Sequence, residues 1–166
     1  KGNVHGHIVR VAQGNPWDTA FKWDIYLFAS EADADKARVN LSNLTDENDL
    51  SSPDGLVCSE ATGLCWIQTD DGAYTDKTNC MLLAAIPGTV GDGSKKTLSY
   101  KRADGSEKRV DTYVGKAQTP NTLKRFLVGP VDCEITGLCE TPDGKALFIN
   151  IQHPGEPASE LSDPSA

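Results

Sequence analysis

Apolar residues along this chain alternate with polar ones or gather in short unbroken runs, and the runs end at clusters of Gly, Pro, Asn and Asp. Phe21 to Ala29 (Phe-Lys-Trp-Asp-Ile-Tyr-Leu-Phe-Ala) alternates and then becomes wholly apolar, as a strand does on entering a core. His7 to Ala12 reads as a shorter strand joined to it through the turn signal Asn15-Pro16-Trp17-Asp18. Leu56 to Cys58, Cys65 to Thr69 and Met81 to Ile86 follow as three short strands in meander order, and Leu123 to Val128 closes the set. Between them, Thr97 to Arg102 and Lys108 to Val114 face each other across Ala103-Asp104-Gly105-Ser106, an Asp-Gly hairpin signal. This predicts an inserted, solvent-exposed ribbon within residues 87–122. Glu134 to Cys139 and Ala146 to Ile151 begin a further unit. Alanines and charges in Ser30 to Asn40 allow one or two helical turns, but Leu41 to Ser52 has no period, so 30–52 reads mostly as loop.

One passage occurs twice. Ser52-Pro53-Asp54-Gly55-Leu56 leads to Cys65-Trp66-Ile67-Gln68-Thr69-Asp70, and Thr141-Pro142-Asp143-Gly144-Lys145 leads to Leu147-Phe148-Ile149-Asn150-Ile151-Gln152-His153. Read as a Pro-Asp-Gly turn paired with an apolar strand, the repeat suggests blades, whose small sheets need neighbours stacked on both faces. The fold class expected is all-β: antiparallel meander blades, a fragment of about two blades of a β-propeller, with residues 1–166 forming one portion of a larger ring. The start at Lys1 and the Pro/Ser/Glu-rich stretch from Pro157 to Ala166 are read as cuts in a longer protein. At 166 residues the chain is long enough to bury roughly 70% of its unfolded surface.

The formal charge of −8 repels phosphate backbones, and no Lys/Arg cluster interleaved with aromatics offsets it, which argues against nucleic acid as a partner. No run approaches the ~20 apolar residues of a membrane span, so no membrane insertion is expected. The five cysteines, Cys58, Cys65, Cys80, Cys133 and Cys139, never form CxxC, which removes zinc-ribbon and thioredoxin readings. Cys58 and Cys65 flank a turn and can pair across strands, although buried free thiols account for them at least as well.

Propeller sites lie where the innermost strands begin, because side chains there converge on the central channel. Glu134 and Asp54 stand at such positions. Glu134 is flanked by apolar residues, so its charge is costly to desolvate without a cation or an Arg beside it. Calcium takes roughly six to eight oxygen ligands and could use Glu134 with Asp54 and Asp70. Simpler roles compete: Asp54, Asp143 and the Asp70-Asp71 pair each precede a Gly, where Asp ordinarily hydrogen-bonds its own turn, and Glu134 could form a structural salt bridge. His5 and His7 would share one face of a strand, a spacing suited to two metal ligands with no third close by, while His153 closes a strand and reads as a partner for loop backbone. No phosphate-cradling Gly-rich loop, serine nucleophile elbow or HExxH is present.

Six motifs, in order, resemble the C-terminal part of the PhoX-type bacterial alkaline phosphatases: His5-Gly6-His7-Ile8-Val9-Arg10, Pro53-Asp54-Gly55-Leu56, Trp66-Ile67-Gln68-Thr69-Asp70, Arg125-Phe126-Leu127-Val128-Gly129-Pro130, Cys133-Glu134-Ile135-Thr136-Gly137 and Asn150-Ile151-Gln152-His153-Pro154-Gly155-Glu156. They span nearly the whole chain apart from 30–52 and 87–122. The resemblance implies a β-propeller exported to the periplasm or beyond, hydrolysing phosphate monoesters with calcium and iron in its channel. Glu134 matches a motif carboxylate assigned to that cluster, and Asp54 is a weaker match.

The chain departs from the family at Gly129-Pro130-Val131-Asp132-Cys133, where similar proteins tend to carry a basic residue between the Pro and the Glu. The family's N-terminal blades, with most of the expected metal ligands, are not in this chain. The expectation is therefore a portion of a secreted metal-dependent phosphomonoesterase that is inactive alone and is completed by the remainder of the same chain. A non-catalytic binding propeller and a calcium-dependent, lactonase-like propeller are the alternatives.

Overall fold

The computed structural model describes residues 3–71 and 78–154. They form ten strands: β1 (His7–Ala12), β2 (Lys22–Phe28), β3 (Pro53–Cys58), β4 (Cys65–Thr69), β5 (Met81–Ala85), β6 (Ser94–Lys101), β7 (Glu107–Val114), β8 (Leu123–Val128), β9 (Glu134–Glu140) and β10 (Leu147–Gln152). Three sheets result, ordered β1-β2-β7-β6, β3-β4-β5-β8 and β9-β10. The all-β expectation holds, and the central four strands pair as the antiparallel meander the pattern predicts.

The central sheet is covered on both faces, which explains why β4 is buried at every position. Successive side chains point to opposite faces of a strand. On one side Cys65, Ile67, Met81, Leu83, Ala85 and Leu123 pack against Tyr26, Leu27, Leu44 and Leu50. On the other, Trp66 and Leu82 pack against Cys133 and Ile135, with Leu138, Leu147 and Ile149 of the β9-β10 hairpin at the margin. This is a blade stacked between two neighbours.

Residues 30–52 contain no strand and no helix, yet the segment is built into the core. Leu41, Leu44 and Leu50 are buried, and two buried asparagines replace the missing ladder. The Asn40 amide accepts from Leu44 N at 2.7 Å and donates to the Leu44 and Ala32 carbonyls, while Asn48 accepts from Thr45 N and donates to the Leu123 carbonyl at 3.1 Å. Side-chain amides thus satisfy backbone groups that an irregular segment would otherwise bury unpaired.

The β6-β7 hairpin is present, but it is not a free ribbon. Ile25 pairs in parallel with Val114, and Gly115 N donates to the Ile25 carbonyl at 2.8 Å, making the hairpin half of a four-stranded sheet. Leu98 and Val114 are buried against Ile25, Phe28 and Leu41. A Cβ at Gly115 would lie 3.0 Å from the Tyr26 carbonyl oxygen, so the close approach requires glycine there.

The repeated Pro-Asp-Gly passage does not mark equivalent turns. Thr141–Lys145 is the β9-β10 turn, with the Asp143 carboxylate accepting from Thr141 Oγ1 at 2.7 Å and from Lys145 N at 3.2 Å. Pro53-Asp54-Gly55 instead opens β3, with a register irregularity between Pro53 and Leu56. The turn equivalent to 141–145 is the one at 59–64, and the two touch: a Cβ at Gly144 would sit 3.2 Å from both Ala61 Cβ and Thr62 Cγ2.

Cys58 and Cys65, facing each other across β3 and β4, form a disulfide, a pairing the sequence left open against free thiols. Arg10 clamps the first sheet to the loop after β5. Its Nε and Nη2 donate to the two carboxylate oxygens of Asp24 at 3.0 and 2.7 Å, and Nη2 and Nη1 reach Asp92 at 2.8 and 3.2 Å. Nη1 also donates to the Pro87 carbonyl, and the guanidinium lies over the Tyr26 ring, 5.4 Å from its centre. Asp24 is 1% exposed and takes a further bond from Gly91 N at 2.7 Å.

Candidate functional site

Antiparallel pairing brings the start of one strand beside the end of the next. Pro53 lies opposite Thr69, Met81 opposite Val128, and Glu134 opposite Gln152. Asp54, Asp70, Cys80, Glu134 and His153 therefore collect at one end of the central sheet and the β9-β10 hairpin. A cleft of about 190 Å³ opens there, lined by Asp70, Asp71, Asn79, Asp132, Glu134 and His153 with Cys80 and Cys133 at its wall.

Two of the three carboxylates predicted as metal ligands, Glu134 and Asp70, line this cleft. Asp54 does not, but all three share one electrostatic field. Burial first, and then the negative charges of Asp70 and Asp54, raise the Glu134 carboxyl above its ordinary value, and nearby His153 partly offsets them. No Lys or Arg lines the cleft among the described residues. Crowded carboxylates with no side-chain cation attract a positive ion.

Hard carboxylate oxygens at Glu134 and Asp70 suit calcium. Among the described residues, however, no three His, Cys, Asp or Glu side chains converge closely enough to hold a metal ion by themselves. His5 and His7 are not among the residues that line the cleft. His5 precedes β1, is buried, and faces Ser51 Oγ through Nδ1 at 3.2 Å, while exposed His7 lies against the Phe28 ring. The single-face placement expected of the two fails because Gly6, at φ +83°, turns the chain between them.

Sequence reasoning missed the wall of the cleft. Asp132 has a positive φ of 54°, a conformation that Asp tolerates better than most residues but that one sequence does not reveal. Cys80 and Cys133 enter because the residues before β5 and before β9 pack together. Gly129 N donates to the Cys80 carbonyl at 2.8 Å, Asp71 N donates to Cys80 Sγ at 3.2 Å, and Cys133 Sγ donates to the Pro130 carbonyl at 3.1 Å. Burial raises both thiols above their ordinary values. The legible signal was adjacency: Cys133 and Asp132 immediately precede Glu134.

Known proteins resemble this chain over nearly its whole length. The family described as Alkaline phosphatase PhoX matches residues 1–155. Among solved structures, the chain is similar to Pseudomonas fluorescens PhoX in complex with vanadate, a transition state analogue, with 29% identity and a TM-score of 0.67 over 96% of this chain. It spans 23% of that protein's length. No curated protein sequence matches it.

Proposed function

Because the chain belongs to the PhoX alkaline phosphatase family, we propose that it supplies one wall of the catalytic channel of a secreted, metal-dependent phosphomonoesterase. The observation that carries this reading is the cleft at the strand ends, where Glu134 and Asp70 meet without a neutralising Lys or Arg among the described residues. Glu134 and Asp70, with Asp54 at the margin, would hold calcium, and iron would complete the centre with residues outside this chain. Bound metal supplies Lewis-acid polarisation of a phosphoryl group and neutralises charge that develops on its oxygens.

The chain's own residues do three things. Glu134 presents a carboxylate from the first position of β9, fixed by pairing with Gln152 on β10. Asp70 sits one residue beyond β4, held by its backbone N–H to the Ser52 carbonyl at 3.1 Å, so both oxygens remain available to a cation. Trp66, Leu82 and Ile135 pack behind them and keep water from the rear of the cleft.

Among the described residues there is no full ligand set, and the chain alone should not turn over substrate. Export to the periplasm or medium is supported by the Cys58–Cys65 disulfide, which persists in oxidising compartments. A second reading is a non-catalytic propeller, favoured by Val131 and Asp132 at the cleft, which give a phosphate no cation to meet. Hydrolysis of a generic phosphomonoester by the whole protein, beside Glu134→Ala and with a chelator, separates them. Activity abolished by both supports the phosphatase; a folded, metal-replete protein without activity overturns it in favour of the binding module.

A further inference from the structure

The cleft has a second feature besides its carboxylates. Cys80 and Cys133 are both free and buried, line the same wall, and belong to one apolar cluster with Trp66, Leu82 and Ile135. Gly129 brings them together. The point a Gly129 Cβ would occupy lies 2.6 Å from Cys133 Sγ and 3.2 Å from the Cys80 carbonyl oxygen, so the backbone of one cysteine and the sulfur of the other converge where there is no side chain. A larger residue at 129 would hold them apart.

We propose that Cys80 and Cys133 are a dithiol modification site which a small-molecule disulfide closes into an intramolecular disulfide. The Sγ of one cysteine, as thiolate, attacks a sulfur of the reagent, forming a mixed disulfide and expelling one reagent thiol. The second cysteine then attacks the protein sulfur of that mixed disulfide and expels the other. Two protein thiols are oxidised, one disulfide reagent is reduced to two thiols, and the protons end on the leaving thiols. The new bond ties the start of β5 to the residue preceding Glu134. The wall of the cleft thereby becomes covalent. The third free cysteine, Cys139, is exposed on β9 and gives an internal comparison, because with no partner in this cluster it takes the reagent as a mixed disulfide only.

The test exposes the whole protein, as wild type and as Cys139→Ser, to oxidised glutathione, traps remaining thiols by alkylation under denaturing conditions, and maps peptides without reduction. The expected result is a Cys80–Cys133 linked peptide in both proteins, with Cys133→Ser leaving Cys80 alkylated or glutathionylated and never cross-linked. Recovery of Cys80 and Cys133 as separate alkylated peptides, after exposure long enough to convert Cys139 fully, overturns the proposal. The readout needs neither metal nor activity, so its failure is distinct from failure of the phosphatase reading.

Discussion

Replacing Arg10 with Met removes the cation that faces both Asp24 and Asp92, and the cost can be worked from the geometry. Asp24 is 1% exposed and is held by a two-pronged contact at 3.0 and 2.7 Å; in the variant its charge keeps, among the described residues, the Gly91 N–H. Breaking a buried pair by removing one partner costs about 3–5 kcal/mol, because a charge is stranded without its counterion. Burial works against the Arg10 charge, but hydrogen bonds to Asp24 and Asp92 outweigh it and raise its pKa. Urea unfolding followed by tryptophan fluorescence should show R10M less stable by about 3–5 kcal/mol, which at ~1–3 kcal/mol/M moves the midpoint by at least ~1 M. The double variant R10M/D24L should lose less than the two single losses added together, since the stranded charge is gone. A loss under about 1 kcal/mol in R10M would refute the reasoning. The same clamp sets an acid limit. Hydrogen bonding to Arg10 leads the causes that hold Asp92 down at about 2. A carboxyl depressed in the folded state stabilises above its unfolded value and loses that contribution as pH falls through the folded one. Between roughly pH 4 and 2, stability should drop by on the order of 1–2 kcal/mol once solvent screening is allowed for, and R10M should keep only the smaller part of this slope that the Thr89 and Lys116 backbone donors supply.

Gly129→Ala places a methyl 2.6 Å from Cys133 Sγ and 2.8 Å from Ile135 Cδ1, an overpacking expected to cost about 1–3 kcal/mol by thermal or urea unfolding; an unchanged midpoint would show that the β8-β9 connection yields freely. Glu134 works in the opposite sense to Asp92: with its carboxyl raised by burial, Asp70 and Asp54, its charge opposes folding as pH climbs above its ordinary range. Glu134→Gln should therefore leave the metal-free protein at pH 7 as stable as the parent or slightly more so, while calcium should raise the melting temperature of the parent and much less that of the variant. Equal calcium shifts in both would remove Glu134 from the cation site.

What the sequence disclosed depended on the range of the determinant. Cys65–Thr69 and Leu123–Val128 were legible to the residue, because a short apolar run bounded by turn formers has few other solutions. The pairing of Ile25 with Val114 was not, since nothing local to Lys108–Val114 separates a strand that docks from one that stays in solvent. Pro53-Asp54-Gly55 was misread for a related reason: Pro-Asp-Gly favours a turn, yet here tertiary pairing with β4 draws the tripeptide into a strand. Glu134 and Asp70, which line the cleft, drew notice in the sequence because each ends or begins an apolar run. Asp54 was placed at the right end of the sheet but outside the cleft, and the Cys80 and Cys133 wall arises from contacts across the fold that no window of sequence contains.

The parallel join of β2 to β7 also orders the assembly of the molecule. The hairpins β3-β4, β6-β7 and β9-β10 close short loops, whereas joining Ile25 to Val114 closes a loop that contains β3, β4, β5 and β6. The entropy of that closure is incurred before its single pairing and the packing of Leu98 return anything. The ribbon therefore docks after the central sheet has formed. Until it does, Ile25 and Phe28 lie open on β2, and in that interval their apolar surface is exposed to association with neighbouring molecules.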